Sequence, residues 1–327
     1  MLVALLSSLS SVVILYLFGH SFPFDIAYAH SATIPVGISP IGIKYDPSND
    51  NIYVANAVSS TVSVISGSTN SVIDTILVGR FPMRLEYVPS NSQIYVTNLL
   101  SNDTYIINGL TNEVVRAIAV GRIPSWIAYD PTNNSVYVGN VLNNTVSVIN
   151  AATGVLYSTI PVFSGSSGLS DAGHISIAYS SINDALYVSS YRLGIVSVIN
   201  AVTNADVNDI TVSGGPTGIA YNPVNHNLYV AGSLSNQVFV VDSITNRIVG
   251  VIDVGTHPFD IVYNPMNHNM YVTNSGSDTV SVINSTSNSV INNIPAGDGP
   301  TGITYDSLNQ HVYVTNPASN TVTMIHP

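Results

Sequence analysis

Five of the seven cationic side chains of this chain, Lys44, Arg80, Arg84, Arg122 and Arg192, sit at related places in a repeating pattern. Trp126, the only tryptophan, sits among them. An arginine fork pairs with carboxylate, sulfate or phosphate, and a tryptophan face suits a sugar ring or a cation. The types and spacing predict a ligand site formed by Arg80, Arg84, Arg122 and Trp126, with His174, Tyr191 and Arg192 beside it. Its preferred partner is an acidic glycan or the acidic patch of another surface protein. A structural reading competes with this one. In it, Arg84 or Lys44 pairs with Glu86 or Asp260 inside a channel, and the other arginines are solvated turn residues.

Other constellations are missing. No G-x-S-x-G elbow supports a nucleophilic serine. No D-x-D-x-D-G loop marks a calcium site. His226 and His268 share one repeat position, and His311 lies one place further on. Zinc needs ligands converging to about 2 Å, whereas equivalent turns of neighbouring sheets lie on the order of 10 Å apart. These histidines therefore read as turn residues, and no catalytic residue, metal or cofactor is assigned. The chain has no cysteine, which excludes disulfides and thiolate ligands.

The charge balance narrows the partners. Asp and Glu number 18 against seven basic residues, a formal net charge of −11, and this opposes nucleic-acid binding. Leu2 to Phe18 is almost wholly apolar, and Ala27-Tyr28-Ala29 follows as an A-x-A site. Residues 1–29 thus read as a secretory signal cut after Ala29, or as an N-terminal anchor if uncut. Either puts the chain outside the cytoplasmic membrane, secreted or on the cell surface, with any membrane contact made by the leader alone. Sequons at Asn102, Asn133, Asn143 and Asn284 are compatible with glycosylation there.

The elements that must position these residues come from a repeat. Tyr-Val follows an aliphatic residue at Tyr53, Tyr95, Tyr137, Tyr187, Tyr229, Tyr271 and Tyr313, at gaps of 42 residues broken once by 50. Five of the seven units open on a Gly-x-x-Pro turn, as at Gly79–Pro82 and Gly121–Pro124; the fifth keeps Pro216 with Ser213 in the Gly place, and the fourth has His174 in the Pro place. An aliphatic three places past the Pro and a Tyr two further on give period-two alternation, the mark of a strand. Turns rich in Asn, the Tyr-Val strand and two more short strands complete the unit. Four strands in each of seven units predict an all-β fold, a seven-bladed β-propeller spanning residues 30–327.

Its last unit stops after three strands. Ile34-Pro35-Val36-Gly37 matches Ile76-Leu77-Val78-Gly79, so the N-terminal strand is expected to complete the last blade. The residues that alternate with the aliphatic and Tyr positions on each first strand should then face the central channel. Those are Gly42, Arg84, Trp126, Ser176, Gly218, Asp260 and Gly302, then Lys44, Glu86, Ala128, Ala178, Ala220, Val262 and Thr304. Extra residues between Phe163 and His174 lengthen one turn at the end carrying Arg80 and Arg122.

Tyr-Val-Thr-Asn stands at 95–98, 271–274 and 313–316 beside the Gly-x-x-Pro turns. In this the chain resembles the YVTN-repeat β-propellers, including surface-layer-type proteins, over roughly residues 31–327. The resemblance implies a secreted or surface protein without assigned catalysis. The fourth unit departs from it, with Ser189-Ser190 in place of Thr-Asn. Three functions are weighed, the last of them a nucleic-acid binder that rests on the arginine cluster alone and that the charge balance opposes. The first is a secreted or cell-surface binding scaffold. The alternative is a propeller enzyme with an axial site, a lactonase-like hydrolase or a cofactor-dependent oxidoreductase. The lack of a catalytic constellation favours the scaffold.

Overall fold

A computed structural model describes residues 32–163 and 174–327. The expected leader over residues 1–29, with the expected cleavage after Ala29, and most of the extra residues after Phe163 lie outside those residues. Seven four-stranded antiparallel sheets follow one another along the chain. We number the blades one to seven from Pro40. Blade one has its first strand at Pro40–Asp46, its second at Asn51–Asn56, its third at Thr61–Ser66 and its fourth at Ser71–Leu77. The first strands touch one another in a closed cycle, so they form the inner wall of a seven-bladed propeller.

Closure happens as the sequence predicts. Ala32–Pro35 pairs with the third strand of blade seven, Thr321–Ile325, in the register Ala32↔Met324 to Pro35↔Thr321. Ile34, 4% exposed, fills the seam with blade one together with Tyr45 and Tyr313. The ring therefore ends on a paired strand rather than an open edge.

Each letter of the repeat has a physical task. The seven Tyr of the Tyr-Val strands are at most 1% exposed and fill the gaps between blades. A buried phenol needs a partner, and the next blade supplies one. The Tyr187 hydroxyl donates to the Ser243 carbonyl at 2.8 Å, and Tyr313 donates to Asn70 Oδ1 at 2.6 Å. The repeat Asn secures the same seam, with Asn183 Nδ2 donating to the Ser243 carbonyl at 2.7 Å. Thr97, Thr273 and Thr315 donate to carbonyls at the start of the following blade's first strand, at 2.7 to 2.9 Å. The final Asn packs on the turn. A Cβ at Gly121 would lie 2.5 Å from the Asn140 side chain, so only glycine fits there.

The first-to-second turns end on a residue with positive φ. Asp50, Asn134, His226 and His268 all take this conformation, at φ 54 to 60. The two histidines accordingly serve as turn residues, hydrogen bonded through Nδ1 to the Tyr221 and Tyr263 hydroxyls.

Candidate functional site at the propeller axis

The inner wall encloses a cavity of about 400 Å³, within the range of about 300–1,000 Å³ usual for ligand pockets. Its lining begins at Arg84, Trp126 and Asp260 and runs along the first strands to Tyr129, Tyr179, Tyr221 and Pro223. The cavity thus extends away from the Gly-x-x-Pro turns, toward the opposite face of the propeller.

At its inner end lies a compact layer of side chains. Arg84 is 5% exposed, and its guanidinium carbon lies 3.7 Å from the centre of the Trp126 ring and 5.3 Å from that of Phe259. Arg84 Nη1 donates to the Ile41 carbonyl at 3.0 Å and lies 3.7 Å from Asp260 Oδ2. His174 meets Trp126 edge-on at 5.1 Å and Phe259 at 5.4 Å between ring centres. Glycines in blades one and seven make room for the arginine. A Cβ at Gly302 would lie 3.2 Å from Arg84 Nη1, and one at Gly42 would lie 2.9 Å from the Arg84 Cα.

Burial sets the charges of this layer. It pushes the His174 imidazole down to about 3, helped by the Arg84 charge, so the ring is neutral at neutral pH. Burial raises the Asp260 carboxyl, while Arg84 and the Ile261 N–H, which donates at 2.8 Å, oppose that rise. Burial also lowers Arg84, opposed by Asp260. A guanidinium nevertheless stays protonated in proteins, and stacking on a ring suits it where an ammonium would lose hydration. A desolvated cation–π contact of this kind contributes about 2 kcal/mol.

Nearer the open end, Lys44 Nζ and Glu86 Oε1 are 2.7 Å apart, with side chains 33% and 17% exposed. Of the pairings left open by the sequence, the fold selects Lys44 with Glu86 and Arg84 with Asp260. The first pair comes from adjacent first strands. The second comes from blades two and six, where Arg84 reaches past the glycines of the blades between.

The sequence-derived ligand residues divide in two. Arg84, Trp126 and His174 come together at the inner end of the cavity, the first two buried and His174 partly buried. Arg80 and Arg122 stay exposed on the turn face. Arg80 Nη2 donates to the Leu100 carbonyl at 3.1 Å, and the Arg122 N–H donates to Asn143 Oδ1 at 2.5 Å. Tyr191 donates its N–H to the His174 carbonyl at 3.0 Å and packs over Gly215, and Arg192 is exposed beside it. Phe259, partly buried, is the member of this layer that the sequence does not announce. It lies one place off the channel-facing alternation, and its only signal is an aromatic ring where other units hold Ile, Met, Ser or Thr. Of the sequons, Asn102, Asn133 and Asn143 are exposed, and Asn133 Nδ2 also donates to the Tyr137 hydroxyl at 2.8 Å. Among the described residues no three His, Cys, Asp or Glu side chains gather as a metal site.

Comparison with known proteins bears on family and fold. A family model described as lactonase, 7-bladed beta-propeller matches residues 75–326. No curated protein sequence matches. Among solved structures, a streptogramin B lyase superposes with a TM-score of 0.77 at 14% identity, covering 90% of this chain and 97% of the other. Virginiamycin B lyase from Staphylococcus aureus gives 0.76 at 14% identity, covering 91% and 100%. Hydrazine synthase from Kuenenia stuttgartiensis gives 0.73 at 16% identity, covering 95% and 99%. At these identities the likeness is one of fold.

Proposed function

The chain belongs to the lactonase, 7-bladed beta-propeller family, and from that premise we propose that its axial cavity hydrolyses a cyclic ester. The observation that carries this reading is the Lys44–Glu86 pair, 2.7 Å apart on the cavity wall and only partly exposed. Glu86 takes a proton from the water that attacks the ester carbonyl. The Lys44 ammonium offsets the negative charge that develops on the carbonyl oxygen. The ring C–O bond then breaks, and Glu86 returns its proton to the leaving alkoxide, giving a hydroxy acid. Arg84, Trp126 and Asp260 form the floor on which the ring rests. A pH-stat assay over γ- and δ-lactones tests this. Glu86→Gln is expected to lower kcat by at least about 100-fold, the usual weight of a general base. Absence of turnover by the wild type, or an unchanged kcat in Glu86→Gln, overturns the reading.

A second reading takes its support from the other face. Arg80, Arg122 and Arg192 are exposed there in a chain of net charge −11 that starts with an apolar leader. It describes a secreted or cell-surface scaffold of the YVTN-repeat kind that binds an acidic glycan or protein patch. Glycan-array and pull-down signals should be lost in an Arg80→Ala, Arg122→Ala variant that keeps the wild-type circular dichroism. Signals equal to wild type sink this reading.

A further inference from the structure

The wall of the axial cavity is not uniform. At the first-strand position that holds Lys44 and Glu86 in blades one and two, blades three to six carry Ala128, Ala178, Ala220 and Val262. One side of the cavity is charged and the other is aliphatic. The layer around Arg84 and Trp126 closes the inner end, so a long ligand on the aliphatic side extends toward the opposite mouth.

The asymmetry continues outside that mouth. On the turn after each first strand, the residue before the repeat Asn is Ser48, Ser90 or Thr132 in blades one to three. In blades four to seven it is Ile182, Val224, Met266 or Leu308, exposed by 47, 61, 60 and 66%. Turn tips normally carry polar residues, and single exposed aliphatics need no explanation. Four at one repeat position in consecutive blades form a pattern, and three of those blades, four to six, also carry the aliphatic residues of the inner wall. Val224 directly follows Pro223, which lines the cavity, so the inner wall and the outer crescent are contiguous. The Asn183–Ser243 hydrogen bond also brings Ile244 of blade five, 65% exposed, to the turn that carries Ile182.

We propose that the cavity takes an amphiphile, a cyclic ester bearing an alkyl chain. Its ring lies at Lys44 and Glu86, and its chain runs along Ala178, Ala220 and Val262 and out over Val224 and Met266. The inference rests on the axial-site reading above and adds the substrate class to it.

Trp126 is the only tryptophan and lines the cavity, so its fluorescence reports occupancy separately from turnover. The probes are γ-butyrolactone, γ-octalactone and γ-dodecalactone, titrated into wild type and a Val224→Ser, Met266→Ser variant. Kd is expected to fall by up to about fourfold per added methylene, the factor for burying a CH₂ group. The variant should lose much of the gain between octalactone and dodecalactone, with butyrolactone as internal reference. Equal Kd across the series overturns the inference, as does a variant that keeps the full gain. Hydrolysis of all three lactones without a gain in affinity overturns it while leaving the hydrolase reading intact. A gain in affinity without hydrolysis supports it and overturns the hydrolase reading.

Discussion

Asp206 is a carboxylate that works against the fold outside the axis. It sits half-buried on the fourth strand of blade four, where burial and then the like charge of Asp209 raise its carboxyl from 3.8 to about 6. A folded value above the unfolded one means that the protonated form stabilises the fold. That contribution is complete below about pH 3.9 and is lost as pH rises through about 6. Asp206→Asn should therefore stabilise the protein at about pH 7, by about 1 kcal/mol once solvent screening of a part-exposed group is allowed for. At about pH 3.5 the gain should vanish. Urea midpoints at the two pH values check this, and an equal shift at both would show that charge is not the cause. Nothing in the sequence marked Asp206, because the burial that raises its carboxyl is set by tertiary packing. The two Tyr positions were legible for the opposite reason. A residue type that returns in every unit answers a demand every blade makes, here a buried phenol bonded across the seam.

At the scale of elements, alternation and turn chemistry were enough to place the strands. Asn-rich segments and Gly-x-x-Pro marked where turns fall, while the positive-φ residue that follows each repeat Asn and the packing of the turn glycine on an Asn side chain came from the structure. The closing strand was legible because Ile34-Pro35-Val36-Gly37 repeats the fourth-strand motif at the wrong end of the chain. Deleting residues 32–36 should expose Val322 and Met324 along an open edge. The loss is expected to be at least about 3 kcal/mol, from the burial of Ile34 and the ladder hydrogen bonds. Thermal denaturation of the truncated and full chains measures it, and equal melting temperatures would contradict the pairing. The same trimmed chain should aggregate more readily, since the third strand of blade seven would become an unprotected edge.

Across the whole molecule, the ring turns a linear list of channel residues into two unlike ends and two unlike sides. Arg84 and Trp126 form a buried floor, while Arg80 and Arg122, four residues before each of them, stay in solvent. The turn accounts for this split: Arg80 and Arg122 lie in the Gly-x-x-Pro turns, before the first strands that begin at Pro82 and Pro124, whereas Arg84 and Trp126 lie on those strands. A site that spanned all four would have to cross the turn that separates them.

The sequence by itself determined the blade count, the strand order, the closing strand, and the positions that face the axis. These follow from a period of 42 residues and an alternation of two, which are local properties of the chain. The tertiary structure alone decided which charges pair and which end of the channel stays open. Lys44 and Arg84 were equal candidates for Glu86 and Asp260 in the sequence. Closing seven blades into a ring puts Lys44 beside Glu86 on adjacent strands, and Gly42 and Gly302 let Arg84 reach Asp260. Such partner choice depends on distances around a closed ring, and no periodicity along the chain encodes those.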